Sequence, residues 1–371
     1  MSSDPLIYYD RTRVTTRWRC GRRRFWAFEF MGRGISPKQR ALALEFGSIL
    51  HEGLAELLLG ESVGDVVRVA VAKLDAQLKA EGISELANAS NQRVMEIWFL
   101  LEGLLRAADR VVIPNILAHY RPVRVEGEVL YEHDGCVLMS KPDVILERLV
   151  DELLEYLEWK STGSNRPDWG KQWYRAVQLP AGALGVEQTL GRQLAATTVV
   201  GLYKGYWSSQ YQRQESIFCY GWGDHGQLVN VYRKGLRKLA VWEAGVTCEQ
   251  WVASLSDDTL REQFIHVGPI PYQEHLTRSW LRQTAISEKA QRAAREQLFG
   301  GRPLLEAQAR EILDTVWPQN FDECEPSWGS ACPYRDACFI PHVERDPIAS
   351  GLFVWREPHH STDPALQEEA A

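Results

Sequence analysis

The chain has 371 residues, 45% of them hydrophobic and 25% charged, with a formal net charge of −7. That length suits a globular protein with a sizeable core, and the acidic balance excludes a uniformly basic nucleic-acid coat, so any nucleic-acid contact must come from a local basic patch. The polar N-terminus lacks a signal-peptide core and no apolar run is long enough for a bilayer, so a cytoplasmic protein with no membrane partner is expected.

A basic patch stands near the start, where Arg11, Arg13, Arg17, Arg19, Arg22, Arg23 and Arg24 crowd around Cys20. Residues 37–60 read as a helix, because Ala41, Leu42, Leu44, Ile49, Leu50, Leu54, Leu57 and Leu58 recur at helical spacing and Gly60 ends the run. Residues 64–81 and 84–118 predict two more helices, the second stopped or kinked near Pro114. At Val123 the period changes to two. Val123 to Tyr131 alternates as a strand, His133-Asp134-Gly135 marks a turn, and Cys136–Met139, Asp143–Leu146 and Leu153–Trp159 predict further strands. Residues 168–190 predict a helix that Pro180 must kink or bound, and 195–207 and 215–222 predict two more strands. The order β-β-β-α-β-β implies an α/β fold with a mixed sheet and a crossover helix.

The expected organisation follows from these shifts. Residues 1–120 form a helical N-terminal region with Cys20 and His51, 121–230 the sheet-bearing core, 231–300 a second helical region and 301–345 a cysteine-rich segment. Residues 346–371 are a tail expected to be disordered, with no apolar pattern from Glu357 onward.

The chemistry concentrates at Lys141-Pro142-Asp143 and Glu158-Trp159-Lys160. Hydrolysing a phosphodiester requires charge neutralisation on the phosphate and an activated water, and a divalent metal supplies both. Hard cations take oxygen ligands and keep several waters, so one or two carboxylates suffice. Asp143 stands at a strand boundary and Glu158 near the end of the next strand, so a hairpin brings them together. Alternation puts Glu158 and Lys160 on one face. Alone, the triplet reads rather as a solvated strand face of Glu155, Glu158 and Lys160.

These residues resemble the motif of the PD-(D/E)XK nuclease superfamily. The resemblance implies a restriction-endonuclease-like mixed central sheet flanked by helices. In it Asp143 and Glu158 would hold Mg2+ or Mn2+, and Lys160 would position or activate the water. Gly47-Ser48-Ile49-Leu50-His51 resembles the Gly-x-x-x-His element of the RecB-like branch, which implies that His51 joins the metal site. Glu126 or Glu128 resembles that branch's upstream glutamate. Gln178 resembles a glutamine that contacts substrate or supports the site, whereas Gly182 stands where the family often has a tyrosine. Lys171 and Arg175, one helical turn apart, either follow a DNA backbone or form a solvated helix face.

Cys324, Cys332 and Cys338 gather three thiols in fifteen residues. Clustered thiols in a reducing compartment more often bind metal than form disulfides, and a four-cysteine site needs one more ligand. Cys20 is that ligand by similarity to RecB-like exonucleases, including CRISPR-associated ones, in which one early and three late cysteines hold a [4Fe–4S] cluster. Zinc suits the same ligands. Cys136, Cys219 and Cys248 read as small buried hydrophobes.

The resemblance therefore implies a metal-dependent DNA nuclease, an exonuclease acting on single strands or DNA ends. No ATPase motif is present, so a helicase, CRISPR or recombination partner would be a separate chain, and the size suits a phage or CRISPR-type processing enzyme. The rival from another class is a degenerate nuclease fold that grips DNA ends without cutting.

Overall fold

The computed structural model describes residues 6–38, 42–80, 89–163, 167–176, 178–204, 218, 220–222, 228–230, 240–241, 247–270, 274–300, 305–325, 331–357 and 360. Strand β1 (Ile7–Asp10) runs directly into helix α1 (Arg11–Arg19), whose N-cap Asp10 accepts the Arg13 amide at 2.8 Å. Helix α2 (Gly21–Arg24), a π turn over Phe25–Glu29 and strand β2 (Ile35–Pro37) follow. Helices α3 (Leu42–Leu58), α4 (Val63–Ala80), α5 (Ala89–Val111) and α6 (Ile113–His119) build a helical layer. Pro114 lies in the first turn of α6, where a missing N–H breaks no bond, so the expected long helix divides there.

Strands β3 (Tyr120–Val125), β4 (Val129–His133), β5 (Cys136–Ser140), β6 (Val144–Arg148) and β7 (Leu154–Thr162) come next. The single strand expected over Val123 to Tyr131 is two, because Glu126 takes a left-handed φ of 53° and redirects the chain. Helix α7 (Pro167–Lys171), a 3-10 turn over Gln172–Arg175 and helix α8 (Gln178–Leu190) then lead to strand β8 (Leu194–Tyr203). Pro180 sits in the first turn of α8, so it bounds that helix rather than kinking it.

The five-stranded sheet has the order β12-β8-β7-β6-β3, with β12 contributed by Phe264–Ile270. Its pairs are antiparallel except β7–β8, which the α8 crossover makes parallel. A second sheet, β1-β5-β4, places the N-terminal strand parallel to β5. The strand expected over 215–222 does not extend the main sheet. Its described part, β9 (Tyr220–Trp222), pairs instead with β10 (Leu228–Asn230), which pairs with β11 (Ala240–Val241). The region expected to be helical from 231 to 300 instead supplies β12, between helices α9 (Cys248–Ser254), α10 (Asp257–Arg261) and α11 (Glu274–Phe299). Phe264, Val267 and Ile270 bury their side chains there while the strand covers the β8 edge.

Leu157 and Trp159 of β7, with Val144, Leu146, Val200 and Leu202, pack on α3, α4 and α5. Tyr156 faces the other way, toward Leu179 of α8. Both faces of this strand are therefore covered, which explains its nearly continuous burial. The chain ends meet in a further core joining Phe25, Trp26 and Ile35 with Trp317, Tyr334, Val343 and Phe353. It involves helices α12 (Glu306–Val316), α13 (Arg335–Phe339) and α14 (Pro341–Arg345), and strand β13 (Phe353–Trp355), which pairs with β2. Within the expected disordered tail the described residues are ordered: β13 is anchored by pairing, and His360 is buried. Residues 361–371 lie outside the described residues. No described helix is long and apolar enough to cross a membrane.

Candidate active site

Asp143 immediately precedes β6, and Val144 pairs with Leu157, so the carboxylate falls beside Glu158 on β7. One oxygen, Oδ2, accepts the Trp159 amide at 2.6 Å. The other, Oδ1, lies 3.7 Å from His51 Nδ1. The buried Nε2 of His51 has no hydrogen-bond partner among the described residues. Glu158, only 3% exposed, accepts the Tyr156 hydroxyl on one oxygen and the Lys160 ammonium on the other. Tyr156, Glu158 and Lys160 are alternate residues of β7, so one strand face carries all three.

These side chains line a cavity of about 350 Å³ together with Asp10, Arg11, Glu52, Glu126, Lys141 and His360. Burial raises the Glu158 pKa, the neighbouring Asp143 raises it further, and Lys160 and the Tyr156 hydroxyl only partly offset them. Burial, then Glu158 and Asp143, push the Tyr156 hydroxyl well above its ordinary range, so it remains a donor. The cavity therefore sets Asp143 and Glu158 side by side, with burial and mutual repulsion outweighing the Lys160 ammonium at Glu158, and brings His51 next to Asp143. Paired buried carboxylates with a raised pKa beside a lysine mark a candidate functional site.

Of the residues singled out from sequence, Asp143, Glu158, Lys160 and His51 come together here. The structure distinguishes the two upstream glutamates. Glu126 lines the cavity and pairs with Lys141, whereas Glu128 turns its carboxylate to His360 Nδ1, 3.1 Å away. Lys171 stands apart, exposed and paired with Asp168 at 2.9 Å. Gln178 heads α8 and Arg175 ends the 3-10 turn, but their side chains lie outside the described residues.

Sequence reasoning missed Tyr156, Asp10 and His360, and named Arg11 only as part of the basic patch around Cys20. Tyr156 was legible, since it stands two residues before Glu158 and shares its face. It also accounts for Gly182: a Cβ there would lie 2.9 Å from Tyr156 Cε1, so a ring from β7 fills space beside α8. Nothing local signals His360, whose Nε2 lies 4.0 Å from Asp10 Oδ2 across most of the chain.

The four cysteines converge where the chain ends meet. Asn320 bridges them, its amide donating to Cys20 Sγ at 3.4 Å and its carbonyl accepting from Cys324 Sγ at 3.5 Å. The Cys332 amide donates to the Cys324 carbonyl at 3.0 Å. Burial raises the Cys332 thiol pKa, with Cys20 and Cys324 adding to the rise, and burial pushes Cys338 up to about 12, with Cys332 and Cys20 adding. All four are free thiols. Among the described residues, no three His, Cys, Asp or Glu side chains are gathered into a group that could hold a metal ion. Cys136 and Cys248 are buried, as expected, and Cys219 lies outside the described residues.

A family model described as the PD-(D/E)XK nuclease superfamily matches residues 12–339. No curated protein matches the chain.

Proposed function

The chain belongs to the PD-(D/E)XK nuclease superfamily, and from that premise we propose that it is a metal-dependent deoxyribonuclease acting on single strands or DNA ends. The superfamily typically hydrolyses phosphodiester bonds and generally uses Mg2+ or Mn2+. The observation that carries the reading is the charge deficit at the cavity. Glu158 is buried beside Asp143, and the Lys160 ammonium that bonds it only partly offsets the burial and the repulsion.

Two carboxylates are enough for a hard cation that keeps its waters, so Asp143 and Glu158 fit Mg2+ or Mn2+, with His51 Nδ1 3.7 Å from Asp143 Oδ1. The cation would supply counter-charge for the phosphate and lower the pKa of the attacking water. The chain's own groups do the rest. The Trp159 amide fixes the Asp143 carboxylate, and the Tyr156 hydroxyl fixes that of Glu158. Lys160 Nζ donates to the water and aims it at phosphorus. Gln178, Lys171 and Arg175 would meet the substrate backbone on the α7–α8 side.

We further read Cys20, Cys324, Cys332 and Cys338 as ligands of one metal centre, a [4Fe–4S] cluster or a zinc ion. Their meeting across the two chain ends supports this. Iron, zinc and sulfide analysis of the purified protein, with its visible absorbance, tests it. Protein carrying neither metal would defeat the reading. A helicase, CRISPR or recombination complex is the partner class that suits a nuclease without its own motor.

The test of the main proposal is degradation of end-labelled single- and double-stranded DNA with Mg2+ or Mn2+, beside Asp143→Ala and Lys160→Ala. Metal-dependent cutting that both substitutions abolish is expected. Equal activity in all three proteins would sink the assignment, and tight end binding without cutting would favour the degenerate module.

A further inference from the structure

Arg11 opens α1 and lines the cavity together with Glu158. The cavity's two lysines are already engaged, Lys141 with Glu126 and Lys160 with Glu158. Arg11 differs. It is half-buried, and it makes no hydrogen bond or ion pair among the described residues. Burial lowers its pKa, and of the charged groups around it Glu158 opposes that most strongly. A guanidinium half withdrawn from water, with no carboxylate in direct contact among the described residues, is arranged for an anion that arrives with the substrate.

From Arg11 the helix leads outward. Thr15 and Trp18 follow at i+4 and i+7 and so lie along the same face, with exposed Arg19 flanking Trp18. Trp18 is 61% exposed yet held in place, since the buried Trp280 meets it edge-on with ring centroids 6.4 Å apart and planes at 83°. Seven residues of helix advance about 10 Å, roughly three stacked nucleotides. A fixed, exposed indole at that distance from a phosphate-binding group is a stacking platform.

We propose that single-stranded DNA enters the cavity along α1, with Arg11 holding a phosphate next to the scissile one and Trp18 stacking a base about three nucleotides away. Continuity with the cavity and the positive charge of Arg11 and Arg19 select a nucleic-acid strand as the occupant of this face. The path rests on the nuclease reading but is tested apart from cutting.

The experiment is fluorescence anisotropy of labelled oligo-dT without divalent metal, with the full chain as wild type, Arg11→Gln, Trp18→Ala and Trp18→Phe. Circular dichroism and thermal melting compare their folding. Arg11→Gln and Trp18→Ala are each expected to weaken binding roughly tenfold, and Trp18→Phe to retain it within about twofold. Arg11→Gln should also lower the slope of log K against log salt by about 0.7, while Trp18→Ala leaves that slope unchanged. With metal present, Trp18→Ala should raise KM and spare kcat. If wild type cuts DNA while all four proteins bind oligo-dT alike, the α1 path is overturned and the nuclease reading stands. If wild type neither binds nor cuts, both fall.

Discussion

Around Arg24, on α2, buried charge closes on itself. Its Nε binds Glu29 at 2.8 Å, and its Nη1 and Nη2 bind Glu288 at 3.2 and 2.8 Å. Gln291 continues the network to Trp317, and Arg295 reaches Glu29 at 3.5 Å. Burial alone would lower the Arg24 pKa, but the two carboxylates reverse it, and burial alone would raise that of Glu29, but Arg24 brings it below the ordinary range. Around Glu158 the balance runs the other way, with burial and Asp143 prevailing over Lys160. Both clusters are ionic and set around buried carboxylates, and the second opens onto the cavity. The first is complete within the fold and joins α2, the π turn and α11. The second leaves Glu158 with its pKa raised, an imbalance that clusters at sites completed by a ligand.

The sharpest way to break this contrast is to delete one charge from each cluster. Asp143→Ala and Lys160→Ala should lower nuclease activity by at least about a hundredfold while leaving the urea midpoint close to wild type. Arg24→Met should do the opposite. It strands two buried carboxylates and should destabilise the protein by about 3–5 kcal/mol in urea unfolding, with activity per folded molecule retained. A stable Arg24→Met protein would mean that the network is not closed as described.

A smaller effect is expected at Tyr156. Tyr156→Phe removes the hydroxyl that holds Glu158, so activity should fall about tenfold, with its acid limb displaced to higher pH. A pH–rate profile reads both changes. Wild-type activity should itself rise with pH across that limb, because Glu158 must ionise to hold a cation.

The smallest predicted effect is on stability against pH in metal-free protein. Folding raises the Glu158 pKa, so the native state keeps a proton that the unfolded chain has released. Stability therefore falls as pH rises from the ordinary carboxylate range through the raised value, and Glu158→Gln should flatten that slope. Glu29 has the opposite sign. Its contribution is full above the ordinary carboxylate pKa and is lost as pH falls through the lowered one. Urea melts of wild type and Glu158→Gln from acid to neutral pH separate the two.

Much of the site was legible because its central part is local. Glu158 and Lys160 share a face by strand alternation, and a hairpin brings Asp143 to them. The α3 periodicity placed His51 on a helix that packs over the same strand. The reading failed where local pattern and long-range pairing diverged. Val123 to Tyr131 alternates without interruption, yet Glu126 adopts a left-handed turn and splits it. Residues 264–270 lie between helical segments, yet the open edge of β8 recruits them as a strand.

The sequence by itself determined the α/β class, the helical layer, the run Tyr156–Glu158–Lys160 and the presence of thiols at both ends, because periodicity and composition are local. Tertiary structure alone decided which groups complete the cavity. Pairing of β1 with β5 delivers Asp10 and Arg11, the left-handed turn sends Glu126 inward and leaves Glu128 for His360, and Asn320 draws Cys20 to Cys324. The β1–β5, Glu128–His360 and Cys20–Asn320 contacts join residues more than a hundred positions apart, which meet only when buried surfaces pack, and no local period encodes them.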